Sequence, residues 1–259
     1  MQIDPNDRRN FKRSNVTFDS GLLQALARDN VDLCDGKGDF EAITSAVMAA
    51  FAFEAFINEI GQLSRTLANP KHPDGSDVST PIDPLSVKLA TVLLEADDKS
   101  TLERFDLIWE TITGQSINLG RDPRQSLQTV FSIRNELAHL KSQQTEIFPE
   151  FDQAEESFDL INAGHIVEVY PQPKFMRSLE SRHLLNPESD PRGQWTLRIS
   201  SGAFAKWICD VVERSAQELV AQLPVESALR IRLTRNSLAG FSNERRLRRW
   251  ARQKPCSKM

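Results

Sequence analysis

Apolar residues recur every three to four positions along most of the chain, the spacing of helices that bury one side. In TFDSGLLQALARDN (17–30), Phe18, Leu22, Leu23 and Leu26 share a side and predict a first helix. A glycine-bearing link, CDGKGD, follows, and Asp39 is placed to cap a long helix reaching about Leu67. With no strand before it and no Lys-Ser/Thr pair after it, the GxG of that link reads as a turn, not a phosphate loop. Residues 69–84, NPKHPDGSDVSTPIDP, hold four prolines and predict a loop, with a short helix over 84–96 next. Ser100-Thr101-Leu102-Glu103 predicts a capping box, opening a helix with Leu102, Phe105, Ile108, Trp109 and Ile112 inward. Asp122-Pro123-Arg124-Gln125 opens another, with Asp as cap, Pro in the first turn and Gln three residues on.

Past Ser142 the period changes. HIVEVY (165–170) and QWTLRIS (194–200) alternate and predict two strands paired as a small ribbon. A last helix, GAFAKWICDVVERSAQELVAQL (202–223), sets Phe204, Ile208, Val211 and Leu219 on one stripe and stops at Pro224. The pattern predicts a mainly α fold in five parts. These are an N-terminal segment with one helix (1–36), a helical core (37–145), an insertion with the β-ribbon (146–200), a closing helix (201–224) and a tail (225–259).

Composition changes this picture little. A chain of 259 residues, 39% hydrophobic and 26% charged, suits one large globular domain or two small ones. The longest apolar run, AVMAAFAFEAF (46–56), is shorter than a bilayer span and contains Glu54, so no membrane crossing is expected. The basic residues of MQIDPNDRRNFKRS have no apolar stretch behind them and do not read as a secretory signal. Cys34, Cys209 and Cys256 are far apart, which argues against a disulfide framework and for a reducing cytoplasm. Four scattered histidines without a Cys pair predict no metal site.

Charge is more informative. The net charge is −4, yet residues 225–259 carry ten Lys or Arg against Glu226 and Glu244, so the tail holds 10 − 2 = +8. Such asymmetry points to an anionic partner, nucleic acid or an acidic protein surface, or else to a solvated tail. In NERRLRRWARQK, Leu247, Trp250 and Ala251 form a thin apolar strip beside five arginines. Arg245, Arg246, Arg248 and Arg249 would then hold an RNA backbone while Trp250 stacks on a base. A neutralising protein partner fits the same strip.

The candidate chemistry concentrates in SIRNELAHLK (132–141). At about 100° per residue, Leu127, Val130, Phe131, Ile133, Leu137, Ala138 and Leu140 fill one apolar arc, and Arg134 falls inside it. Gln128, Ser132, Asn135 and His139 line the opposite side, with Asn135 and His139 one turn apart. On the long helix, Glu54 and Asn58 interrupt the apolar surface of Val47, Phe51, Phe53, Phe56, Ile57 and Ile60, and Arg65 continues their seam. A charge on a buried face is costly unless paired, so Arg134 is expected to meet Glu54. That pair alone is architecture. With His139 and Asn135 added, the set matches metal-free RNA cleavage, where a base takes the 2′-hydroxyl proton and a fixed cation balances charge on phosphorus. Histidine titrates near neutrality, and guanidinium is planar and permanently charged.

RNELAH resembles the signature of the HEPN domains, an all-helical superfamily whose active members carry Arg, a polar residue and, after a short gap, His. FEAFINEI (53–60) is similar to the upstream helix of many such domains, in which a Glu and an Asn recur. The likeness covers roughly residues 37–145, with the 202–223 helix closing the bundle. It implies a HEPN-like up-and-down helical bundle, Arg134, Asn135 and His139 as catalytic residues, Glu54 and Asn58 as supporting ones, and no cofactor. It also implies an endoribonuclease of the toxin or antiphage-defence kind, which leaves 2′,3′-cyclic phosphate ends and is restrained by an antitoxin or regulatory protein.

The bare Arg-to-His spacing recurs at Arg65–His72, which leaves its helix at Pro70, and at Arg177–His183, between the predicted strands. Five residues on a regular helix amount to about 140° of rotation, so Arg134 and His139 do not project together. Either a loosened helix end or a two-fold dimer with a shared site removes that difficulty, and a homodimer is expected. His72, His165 and His183 read as turn or surface residues and Cys209 as core. Two other classes use the same residues: a catalytically silent HEPN-like module for RNA or nucleotides, and a helical dimerisation protein in which Arg134–Glu54 is only architecture.

Overall fold

The computed structural model describes residues 19–34, 40–69, 82–139, 146–149, 166–169 and 171–239. Their fold is mainly α-helical, as the apolar spacing predicts. In chain order come α1 (Ser20–Leu33), α2 (Phe40–Ala68), α3 (Pro84–Glu95), α4 (Thr101–Thr113) and α5 (Arg124–Ala138). Strands β1 (Glu146–Pro149) and β2 (Ile166–Val169) follow, then α6 (Met176–Ser181), α7 (Trp195–Arg198), α8 (Gly202–Gln222) and α9 (Ala228–Leu233). The chain continues from α9 into a π-helical turn, Thr234–Leu238.

Local chemistry sets the helix starts. The capping box of α4 is present: Ser100 Oγ accepts from the Glu103 N–H at 3.3 Å while the Glu103 carboxylate accepts from the Ser100 N–H at 2.9 Å. Gly114, at φ 71°, ends that helix in the left-handed conformation. At the start of α5, Asp122 accepts from both the N–H and the hydroxyl of Ser126, at 3.2 and 2.5 Å.

Two expectations are corrected. QWTLRIS is not a strand; β2 pairs antiparallel with β1, Glu146 opposite Val169 and Pro149 opposite Ile166. Trp195, Arg198, Ile199 and Ser200 are the buried residues of that stretch and Leu197 is exposed, which is not the alternation of a strand. The second correction concerns α1. Leu22 and Leu26 are exposed, and the buried face is Ser20, Gln24 and Ala27. Hydrogen bonds hold that face inward, among them Ser45 Oγ donating to the Ala27 carbonyl at 2.6 Å. Phe18 lies outside the described residues.

The described residues form two compact units. One comprises the chain up to Ala25, Phe51–Leu127 and Val212 onward; the other comprises Leu26–Ala50 and Gln128–Val211. In the first, Phe53, Phe56, Ile57 and Ile60 of α2 are fully buried along with Leu89 of α3, Phe105 and Ile108 of α4, and Leu229 and Leu233 of α9. The Phe53 and Phe105 rings meet edge to face, with centroids 5.6 Å apart. In the second, Ala42, Ala46 and Ala49 of α2, Val130 and Ile133 of α5, Trp195, Phe204 and Ile208 are buried. Cys209 is buried there too, its Sγ 3.5 Å from Ser45 Oγ. Each large apolar side chain so enclosed contributes about 1.5–3 kcal/mol.

Among the described helices, α2 alone is long and apolar enough to cross a membrane by length and composition, with mean hydropathy 1.6 over its most apolar window. Half of that window is buried inside the protein. The apolar stretch is thus longer than the run 46–56 indicates, because the average tolerates the polar residues that interrupt it.

Candidate functional site

The beginning of α5 is anchored firmly. Besides the Asp122 cap, the buried Arg124 donates from Nε to Asp106 Oδ1 of α4 at 2.7 Å. Leu127, Val130, Phe131 and Ile133 then bury the apolar arc. Towards the carboxyl end the arc surfaces: Leu137 is half-buried and Ala138 exposed, and Leu140 lies outside the described residues. Arg134 therefore does not occupy the core position that the helical wheel predicts. It is half-buried, and its Nη1 donates to Asn135 Oδ1 at 3.1 Å on the solvent side. An arginine at this depth lays its stem on apolar surface and keeps its charged end near water.

Asn135 and His139 are both exposed. The helix ends at Ala138, yet the His139 N–H still donates to the Asn135 carbonyl at 3.0 Å, so the last turn stays regular through His139. Asn135 thereby touches both partners: its side chain meets Arg134 and its carbonyl holds His139. The RNELAH residues are gathered on one accessible turn and a half. A loosened helix end, one of the two remedies for their divergence, does not occur.

Glu54 and Asn58 lie half-buried on α2, in the first unit, and Arg134 belongs to the second. Within its own unit Glu54 acts on a residue that sequence reasoning missed, Arg104 of α4. Burial pushes the Arg104 guanidinium below the usual arginine range, Asp97 and Glu54 pull it back up, and Arg65 lowers it further. Its Nε is buried with no hydrogen-bond partner. Arg65, the end of the predicted seam, folds back so that its Nε donates to the Gly61 carbonyl at 3.3 Å. A signal for Arg104 was present: on α4 it stands about 40° from Ile108, at the edge of the apolar arc.

Glu59 was missed as well. It is 3% exposed, and its carboxylate accepts from the Ser20 N–H and hydroxyl and from the Ser237 hydroxyl. A cavity of about 500 Å³ in the same unit is lined in part by Trp109, Thr113, Arg121, Asp122 and Glu218. Its one cation faces two carboxylates, so its charge selects no sign of ligand.

His183 is exposed at the end of α6 with φ 56°, and two bonds close that end: His183 N–H to the Glu180 carbonyl and Leu184 N–H to the Leu179 carbonyl. This is a Schellman ending, a structural task. The Arg177–His183 match thus lies on a short helix and its cap. Arg245, Arg246, Arg248, Arg249 and Trp250 lie outside the described residues, as do His72 and His165. Among the described residues, no group of three His, Cys, Asp or Glu side chains is placed to hold a metal ion. Compared with known proteins, the chain matches no family model, no curated sequence and no solved structure.

Proposed function

We propose that the protein is a metal-independent endoribonuclease acting at the exposed end of α5, on a HEPN-like helical bundle. His139 takes the proton from a ribose 2′-hydroxyl, the 2′-oxygen bonds to phosphorus, and the bond to the 5′-oxygen breaks. That oxygen leaves with a proton from an imidazolium, giving a 2′,3′-cyclic phosphate and a 5′-hydroxyl. Arg134 balances the charge that develops on the phosphoryl oxygens, and Asn135 orients the guanidinium. The observation that carries this reading is the Arg134–Asn135 hydrogen bond on the same accessible turn that presents His139. A guanidinium enclosed in the core would not reach a substrate.

Because α5 stays regular through His139, Arg134 and His139 of one chain diverge, and a two-fold homodimer supplies the complementary pair across a shared cleft. Glu54 and Asn58 are assigned supporting roles, and the tail arginines with Trp250 a role in holding RNA. A cytoplasmic toxin or antiphage-defence setting and a neutralising protein partner complete the proposal. No membrane is assigned.

The test is incubation of purified protein with total RNA in chelator, alongside variants. His139→Ala is expected to lower cleavage about 10²–10⁴-fold. Its thermal midpoint should match wild type, because the side chain is exposed. Arg134→Ala should behave similarly and Asn135→Ala more mildly. RNA that is bound but uncut by wild type would favour the silent binding module instead. Cleavage that requires added magnesium would overturn the mechanism.

A further inference from the structure

Among the described residues, the other guanidinium groups drawn out of solvent find oxygen acceptors: the Asn135 amide for Arg134, the Leu223 carbonyl for Arg230 and carboxylates for the rest. Arg28 reaches Asp210 at 2.6 Å, Arg124 reaches Asp106 at 2.7 Å, and Arg198 reaches Gln172 at 3.0 Å and Glu180 at 3.6 Å. Arg104 is the exception. It is half-buried, its Nε is enclosed, and no hydrogen bond or ion pair of its side chain is found among the described residues. Asp97 and Glu54 act on it through space without closing an ion pair, and Asp97 stands in solvent, where its field is screened. The positive charge of Arg65 bears on the same group.

Two cations that act on each other, one with no side-chain acceptor among the described residues, are an unfavourable arrangement. An oxyanion between them reverses the sign of each contribution. We infer that Arg104, with Arg65 beside it, is a binding site for a phosphate group on the first unit. A guanidinium fork matches two phosphate oxygens, and the second cation favours a phosphate over a singly charged carboxylate. The phosphate comes either from an RNA backbone or from a free phosphate or nucleotide. The first source rests on the nuclease reading and the second does not.

Wild type, Arg104→Met and Arg104→Lys separate these cases. Thermal unfolding is followed in inorganic phosphate against chloride at matched ionic strength. Binding of a single-stranded RNA oligonucleotide is followed in the His139→Ala background, in chelator. Phosphate should raise the wild-type midpoint and leave that of Arg104→Met unmoved. In phosphate-free buffer Arg104→Met should be at least as stable as wild type, since it keeps the packing of the stem and removes a desolvated charge. Arg104→Lys, which keeps the charge without the fork, should show a weakened phosphate response, and it serves if the methionine variant fails to fold.

If the backbone is the ligand, RNA affinity should also fall about tenfold in the Arg104 variants. A lost phosphate response with unchanged RNA affinity assigns the site to free phosphate or a nucleotide. A lost RNA affinity without a phosphate response assigns it to the backbone. Equal phosphate responses in all three proteins with unchanged RNA affinity would overturn the site while leaving cleavage by His139 untouched. Conversely, RNA left uncut by wild type while the Arg104 dependence holds removes the nuclease and keeps the site.

Discussion

Glu59 of α2 and Arg104 of α4 lie in the same unit, and both are drawn out of solvent. Glu59 is met by donors from two distant parts of the chain: the Ser20 N–H at 2.8 Å, the Ser20 hydroxyl at 2.7 Å and the Ser237 hydroxyl at 2.7 Å. No cation is among them. The backbone donor belongs to the first turn of α1, where unsatisfied N–H groups and the helix dipole favour a negative charge. One carboxylate thus ties the start of α1 and the π-helical turn to α2. Arg104 receives nothing comparable. A charge enclosed by the fold's own donors is architecture, whereas one that the fold leaves unmatched is where the proposed phosphate would bind.

The two halves of that contrast predict opposite signs on truncation. Arg104→Met is neutral or stabilising. Glu59→Ala strands three donors around a new cavity and is expected to cost about 3 kcal/mol. Glu59→Gln keeps the shape but exchanges one acceptor for a donor, at a cost of about 1–2 kcal/mol. Urea unfolding with an unchanged slope measures both. If Glu59→Ala cost no more than a surface change, the bonds to Ser20 and Ser237 would not be holding the unit together. The next effect is smaller. Asp122→Ala removes the cap that holds Ser126 and should cost about 1 kcal/mol. Because that cap is at the far end of α5 from His139, cleavage per folded molecule should stay as in wild type.

The legible parts of the fold were those fixed by short-range chemistry. Ser100 and Glu103 are three residues apart, and their box forms as the spacing requires. Phe204, Ile208, Val211 and Leu219 are all buried, because the apolar stripe of α8 has few polar interruptions. The failures have long-range causes. The face of α1 is set by Ser20 and Ala27 bonding to Glu59 and Ser45, residues 39 and 18 positions away, and no local pattern ranks that above burying Leu22 and Leu26. Glu59 was hidden for the same reason: its partner Ser237 is 178 residues distant. At the candidate site the spacing placed Asn135 and His139 correctly on the polar stripe. It put Arg134 too deep, because a helical wheel carries no information about where along its axis a helix leaves the core.

Asp210 of α8 completes the series at the exposed end. Arg28 Nη2 stands 2.6 Å from its carboxylate and Lys206 Nζ 2.5 Å, more cationic contact than Glu59 has, yet Lys206 is largely in water. Burial pushes the Asp210 carboxyl up, but hydrogen bonds from Lys206 and Arg28 together with their charges outweigh it and hold the group below the ordinary 3.8. A carboxyl depressed by folding contributes stability above its unfolded value, and that contribution disappears as pH falls through the lower folded value. Solvent and salt screen such a pair, so Asp210→Asn should cost about 1 kcal/mol or less at neutral pH. The gap between wild type and variant should begin to close below about pH 4 and should narrow in high salt, as screening requires. Glu59→Gln should be insensitive to salt, since its hydroxyl and backbone donors lie inside the protein. A gap for Asp210→Asn that survives in strong acid would mean that packing, not charge, holds α1 to α8 at this point.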